Sequence, residues 1–286
     1  MIRSSVTLSL VPQAKGGPFI FWDDLPASCA QAASLGFDGV EIFPPSPEAL
    51  ERSFLQELLT GHGLELAAVG TGAGWVLHRL HLSHADAQIR AQARAFISGI
   101  IDAAGSLGAP AIIGSMQGRF ENGVTREQSL AWLAEGLNEL GARAERHGVP
   151  LLYEPLNRYE TNLINRIGDG VDFLETLQTE NVRLLADLFH MNIEESALAD
   201  ALRVGGRHIG HVHFVDSNRW PAGHGHTDFR PIANALRGIE YSGYLSAEAL
   251  PLPTPAAAAR QTMVMFKKFF PETADDPSGS LRRKSP

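Results

Sequence analysis

The chain has a single cysteine, Cys29, among 286 residues. An internal disulfide and a thiolate metal cluster are therefore excluded, and a reducing compartment fits. No apolar run approaches the ~20 residues of a membrane span. The opening MIRSSVTLSLVPQAKGG lacks a long apolar core and a small-residue cleavage site, so it reads as a strand and the cytoplasm is the expected location. Basic residues are outnumbered, 24 against 32 acidic ones, for a formal net charge of −8. A field of that sign repels phosphate backbones and anionic lipids, and neither nucleic acid nor membrane is an expected partner. Also missing are a lysine-bearing glycine-rich phosphate loop, a serine nucleophile elbow and a CxxC pair. GTGAGW (70–75) follows a strand but has Trp75 where the dinucleotide fingerprint needs its third glycine, and no helix is expected to begin there. It reads instead as a flexible active-site loop with Trp75 as a pocket wall, while Cys29 reads as packing within the first helix.

What the chain does have is a regular alternation of short β-branched runs with longer amphipathic stretches, the sign of βαβ units around a parallel sheet. The strand-like runs are 3–10, 37–43, 64–70, 109–114, 149–154, 181–187, 207–214 and 243–249. The helix-like stretches lie near 25–35, 47–61, 84–106, 125–147, 168–178, 195–204, 229–237 and 254–269, several followed by a glycine such as Gly36, Gly63, Gly108 or Gly148. Eight strands each followed by a helix predict an α/β fold, a single (β/α)8 TIM barrel over residues 1–271. The polar stretch 272–286 is expected to be a flexible C-terminal tail. The longest irregular stretch, 215–228, is a loop of the length that carries function in compact domains.

Barrel enzymes place their chemistry at the C-terminal ends of the strands. Four successive strands end on a polar group: Glu154 after VPLLY, Asp187 after NVRLLA, His213 near the end of RHIGHVHF and Glu248 near the end of GYLSAEA. Each follows the last by about one βα unit, so the four side chains converge at one mouth. Three carboxylates that close repel one another unless a cation lies between them. Taken singly, Asp187 or Glu248 reads better as a helix cap or a loop ion pair; four at successive strand ends do not. One imidazole with three carboxylates and no thiolate suits a five- or six-coordinate Mn²⁺, Co²⁺ or Mg²⁺ better than a structural zinc; Mn²⁺ is favoured, with Co²⁺, Mg²⁺ and Zn²⁺ left open.

The neighbouring loops place Glu160, His190 and Arg219 within reach of substrate oxygens above that ion. The ordinary alternative for Glu160 is an ion pair with Arg158, while Glu194 and Glu195 read as complements to the first turn of a helix. His211, two residues before His213, reads as a supporting or satisfied core group rather than a ligand. His224, His226 and Asp228 read as loop-fixing, and His78, His81 and His84 as lid or surface.

With these residues in view, the chain resembles the xylose-isomerase-like barrel superfamily. Within it the likeness is to the ketose 3-epimerases, the group of D-psicose, D-tagatose and L-ribulose 3-epimerases, and most to the 5-keto-L-gluconate epimerase type. The segments that carry it are GTGAGWVLHRLHLSHADAQIR (70–90), IIGSMQGR (112–119), EPLNRYETNLIN (154–165), ADLFHMNIEE (186–195) and VDSNRWPAGHGHTDFR (215–230). The resemblance implies metal ligands at Glu154, Asp187, His213 and Glu248, an acid/base pair in Glu154 and Glu248, and substrate contacts at Glu160, His190 and Arg219. Arg166 departs from the small polar residue common after LIN and touches the rim rather than the chemistry.

The implied reaction is inversion of the carbon beside the ketone of a ketose or keto-sugar acid through an enediolate, with one glutamate removing the proton and the other returning it on the opposite face. A sugar acid needs a cationic partner, for which Arg119, Arg219 and Arg79 are the candidates. The partner is thus a small-molecule sugar or sugar acid, with homo-oligomerisation open. Aldose–ketose isomerisation on the same metal is the alternative. An apurinic-site endonuclease of the same superfamily is disfavoured by the missing histidines after strands three and four and by the net charge. A catalytically idle sugar-binding protein is disfavoured by an intact glutamate pair.

Overall fold

The computed structural model describes residues 1–121 and 123–271; the expected tail, 272–286, lies outside them. Eight parallel strands close on themselves: β1 (Arg3–Ser9), β3 (Gly39–Phe43), β4 (Glu65–Gly70), β5 (Ala111–Ile113), β6 (Leu151–Tyr153), β7 (Val182–Asp187), β8 (Ile209–His213) and β9 (Tyr244–Ala247). Closure comes from β9 pairing with the first half of β1, Arg3 beside Tyr244 through Val6 beside Ala247. Each strand is found within two residues of its predicted ends. The (β/α)8 expectation is met.

Around the strands run α1 (Leu25–Leu35), α2 (Arg52–His62), α3 (Ala73–His78), α4 (Ala87–Gly105), α5 (Arg126–Glu145), α6 (Ile167–Glu175), α7 (Leu188–Glu194), α8 (Leu198–Gly205), α9 (Phe229–Gly238) and α10 (Pro255–Phe269). Their starts carry the caps the chain advertises: Asp24, Asp86, Thr125, Asp228 and Thr254 each accept a backbone N–H from the first turn. Gly36 and Gly63 close α1 and α2 in the left-handed conformation. None of the described helices is long and apolar enough to cross a membrane.

Three elements depart from expectation. A two-residue strand, β2 (Phe21–Trp22), lies beside Leu8 and Ser9 and takes over from β9 along the upper half of β1. GTGAGW does not stay a loop: α3 begins at Ala73, with the Trp75 and Val76 amides both returning to the Gly72 carbonyl at 3.0 Å. Arg79 ends it in the left-handed region, at φ 57°. The helix α7 starts directly at the tip of β7, because Asp187 is itself its N-cap.

Alternation along the strands sorts side chains between two cores. One, between sheet and helices, is apolar and includes Val6, Val40, Ile42, Ile97, Leu137, Leu184 and Cys29, all fully buried; each large aliphatic there contributes about 1.5–3 kcal/mol. The barrel interior is split by kind. Ala68, Ile112, Leu152 and Leu185 of β4 to β7 form a small apolar cluster. The buried groups on β8, β9, β1 and β3 are polar instead: His211 and His213, Ser246, Ser5 and Thr7, and Glu41, with Ser246 in register with both His213 and Ser5, and Thr7 with Glu41. The polar groups at the strand ends sit on top of this divided floor.

Candidate active site

The four strand-end groups come together. One ligand atom each from Glu154, Asp187, His213 and Glu248 lies within 4.8 Å of all the others. His213 Nδ1 is the hub, 3.1 Å from Asp187 Oδ2, 3.3 Å from Glu248 Oε2 and 3.6 Å from Glu154 Oε1. Local backbone features explain the placement. Glu154 directly follows β6, its N–H still bonded to the Ile113 carbonyl at 3.0 Å. A Cβ at residue 114 would stand 2.5 Å from Glu154 Oε2, so only glycine leaves that oxygen room. Asp187 divides its oxygens: Oδ1 accepts the Phe189 and His190 amides at 2.7 and 3.1 Å, leaving Oδ2 for the cluster. It is a helix cap and a member of the site at once.

Glu160, His190 and Arg219 line the same cavity, of about 360 Å³. Arg219 Nη2 reaches Asp187 Oδ2 at 3.2 Å and also Glu248 Oε2, while the guanidinium lies over the Phe189 ring. Its own backbone is left-handed, φ 61°, held by its amide on Asp216 and its carbonyl on Leu250. A non-glycine residue in that region at a site is strain maintained by its surroundings. His190 is buried; the Asn157 amide lies 2.7 Å from its Nδ1, and the same amide donates to Glu160 Oε1 at 3.0 Å. Phe19, Phe43 and Trp75 form an apolar wall, the Phe19 and Phe43 rings 4.7 Å apart. The pocket-wall expectation for Trp75 agrees with this position.

Crowding sets the protonation of these groups. Burial pushes the Glu154 carboxyl well above its ordinary value; His213 opposes this, and the Glu248 and Asp187 charges add to it. Burial acts the same way on Asp187, but Arg219, His190 and His213 outweigh it and hold that carboxyl well below the usual range. Burial lowers His190 to about 4, so its ring is neutral near pH 7. The residues fit a divalent cation on their own chemistry. Three carboxylates and one imidazole nitrogen converge, and Glu154 Oε1 is buried with no hydrogen-bond partner among the described residues.

Several neighbouring expectations need correction. Arg158 does not pair with Glu160 but with Glu194, 36 residues on, because Glu160 is turned into the cavity toward Asn157. Glu194 consequently caps no helix. Glu195 does complement a helix start, that of α6, where it accepts the Ile167 amide at 2.8 Å. His81 is no surface group: it is buried against Trp75, with Nδ1 3.2 Å from Ser83 Oγ. Of the three arginines considered for a substrate carboxylate, Arg219 alone lines the cavity; Arg119 lies beside Glu121 and Arg79 over the Trp75 ring. Asp228, as expected, fixes its loop by capping α9.

The group missed in the sequence is Glu41, in the middle of β3. It is buried, lines the cavity and accepts from His211 Nε2 at 2.8 Å and His213 Nε2 at 3.2 Å. A carboxylate between Val40 and Ile42 was the available signal, since such a group is buried only when paired. The support role expected of His211 matches this contact.

Comparison with known proteins agrees with this architecture. A family model described as a xylose isomerase-like TIM barrel matches residues 29–269. A D-psicose 3-epimerase of Agrobacterium fabrum (strain C58) is 31% identical over 242 residues, 82% of this chain and 79% of that protein. A 3-dehydro-D-guloside 4-epimerase of Escherichia coli (strain K12) is 34% identical over 136 residues, 47% of this chain and 52% of that one. The crystal structure of a D-allulose 3-epimerase from Methylomonas sp. with D-allulose superimposes with a TM-score of 0.79 at 21% identity, over 94% of this chain and 97% of that chain, a likeness of fold. Matched along most of its barrel, this chain belongs to the xylose isomerase-like TIM barrel family.

Proposed function

We propose that the protein is a divalent-metal-dependent carbohydrate epimerase that inverts the carbon next to the ketone of a ketose or keto-sugar acid. The observation that carries this reading is the pair Glu154 and Glu248 converging from the ends of β6 and β9 on one cavity, with Asp187 and His213 beside them in a cluster that could hold a cation. The relatives add support, since the similar proteins include epimerases acting at C3 of psicose and C4 of a dehydroguloside.

Glu154, Asp187, His213 and Glu248 would hold the cation. Bound there, it supplies positive charge to the ketone and neighbouring hydroxyl oxygens, which makes the hydrogen on the carbon between them acidic. Glu154 and Glu248 come from strands that are not neighbours, so they approach a bound sugar from different sides. One takes the proton from C3, and the other delivers a proton to the opposite face, which inverts the centre. Glu160, His190 and Arg219 orient the substrate oxygens, and the Phe19, Phe43 and Trp75 wall keeps bulk water from the carbanionic carbon.

The test is a panel of ketoses and keto-sugar acids incubated with the Mn²⁺-supplemented protein in D₂O and read by NMR. The expected product is the C3 epimer, deuterated at C3, with activity lost to chelator and restored by Mn²⁺. Aldose products labelled at C2 would replace this reading with aldose–ketose isomerisation. Full turnover in chelator would remove the metal.

A further inference from the structure

Glu41 takes no part in the proton transfers above, yet both of its oxygens are paired. It sits on β3, and both of its partners sit on β8. Those strands are separated in the sheet by β1 and β9, so the contact spans the barrel interior rather than joining neighbours. Each oxygen is taken by a different imidazole: Oε2 by His211 Nε2 at 2.8 Å, Oε1 by His213 Nε2 at 3.2 Å. The two rings, two residues apart on one strand face, stand nearly perpendicular, at 86°. Burying an additional anion costs several kcal/mol unless it is paired and hydrogen-bonded, so the arrangement calls for a role.

The role follows from the other edge of the His213 ring. With Nε2 tied to Glu41, Nδ1 is aimed at Asp187, Glu248 and Glu154, at 3.1, 3.3 and 3.6 Å. A neutral imidazole has one proton and one in-plane lone pair. A carboxylate on Nε2 keeps the proton on that nitrogen and leaves the Nδ1 lone pair for a cation. His211 braces the carboxylate by occupying its second oxygen, so that Glu41 cannot turn away. Glu41, His211 and His213 also offer three donors within 4.8 Å, but both ring nitrogens contact the carboxylate at hydrogen-bond length, and a cation among them would have to displace both protons.

We propose that Glu41 is the positioning residue of this site, fixing the tautomer and ring orientation of His213, with His211 as its brace. The proposal rests on the metal-dependent reading of the cluster. The test measures Mn²⁺ affinity by electron paramagnetic resonance for the full-length protein and its Glu41→Ala and Glu41→Gln variants, with circular dichroism as a folding check. In parallel, ¹⁵N spectra of the diamagnetic Zn²⁺-loaded proteins follow the His213 ring. Glu41→Ala is expected to bind Mn²⁺ about 10–100-fold more weakly and to lose the exchange-protected His213 Nε2–H signal. Glu41→Gln, which can still accept from one ring, should fall between, and its matched size keeps the comparison available if the alanine variant fails to fold. Unchanged affinity in a folded variant would overturn the proposal, as would weaker affinity with an unaltered His213 signature, which marks a loss of charge alone. Absence of divalent-cation binding by the unmutated protein would instead overturn the metal reading itself.

Discussion

Arg158 grips Glu194 through three donors. Its backbone N–H and Nε both reach Oε1, at 2.7 and 2.9 Å, and its Nη2 reaches Oε2 at 2.9 Å. This clasp fastens the loop after β6, which carries Glu160, to the end of α7, which carries His190. Charge-assisted bonds to a carboxylate buried at one end are among the stronger polar contacts. Glu194→Ala should lower unfolding free energy by about 1–3 kcal/mol in urea and raise KM about tenfold, with kcat less affected. Unchanged KM would mean that the loop keeps its place without the clasp.

Glu154→Gln and Glu248→Gln test the two-sided proton transfer. Each should reduce kcat by about 10²–10⁴ and abolish deuterium incorporation from solvent at C3. Because both residues also belong to the cation set, Mn²⁺ affinity is measured beside the rate, and assays are run at saturating metal. Full exchange in either variant assigns that glutamate to binding alone.

Asp102 on α4 lies far from the mouth and gives the molecule an acid-sensitive brace. Arg143 Nε donates to it at 2.8 Å, and His147 Nε2 lies 3.1 Å away. The Arg143 hydrogen bond, opposed by slight burial and aided by His147, holds the carboxyl below its ordinary 3.8. A carboxylate with a depressed native value stabilises fully above its unfolded value and loses that contribution as pH falls through the native one. Wild type should therefore exceed Asp102→Asn in Tm at neutral pH, and the gap should close as pH drops below 3.8. A gap that stays constant through that window would show that the ionised form contributes nothing.

Cys29 packs inside α1 with no exposed surface, and burial pushes its thiol up to about 11. The thiolate is the reactive form, so Ellman's reagent at pH 8 should leave the native protein untouched and titrate one thiol after unfolding. Rapid labelling of folded protein would show that α1 opens readily.

The eight strands were legible because their apolar runs are short and evenly spaced, and the four mouth groups because each is a polar anomaly at the end of such a run. Asp187 shows the limit of reasoning one role at a time. Cap and ligand looked like alternatives, whereas a carboxylate has two oxygens and here gives one to each task. Glu41 escaped because attention to strand ends passes over a residue two positions short of one. The helices α3 and α7, six and seven residues long, hold too few turns for a 3.6-residue period to register. The partner of Arg158 was out of reach for a different reason: 36 residues of separation become a contact only once the fold brings the loop after β6 against the end of α7.

The divided barrel interior bears on how this protein can be rebuilt. Strands β4 to β7 meet over Ala68, Ile112, Leu152 and Leu185, while β8, β9, β1 and β3 meet over His211, Ser246, Ser5 and Glu41. The two halves are therefore not interchangeable modules. A barrel made by duplicating β4 to β7 would lack both His213 and the carboxylate beneath it; one made by duplicating the other half would gather unscreened charge with no hydrocarbon to exclude water. The candidate site straddles the joint between unlike halves, with Glu154 and Asp187 from one and His213 and Glu248 from the other, and chimeras cut elsewhere should keep cation binding more readily than those cut through it.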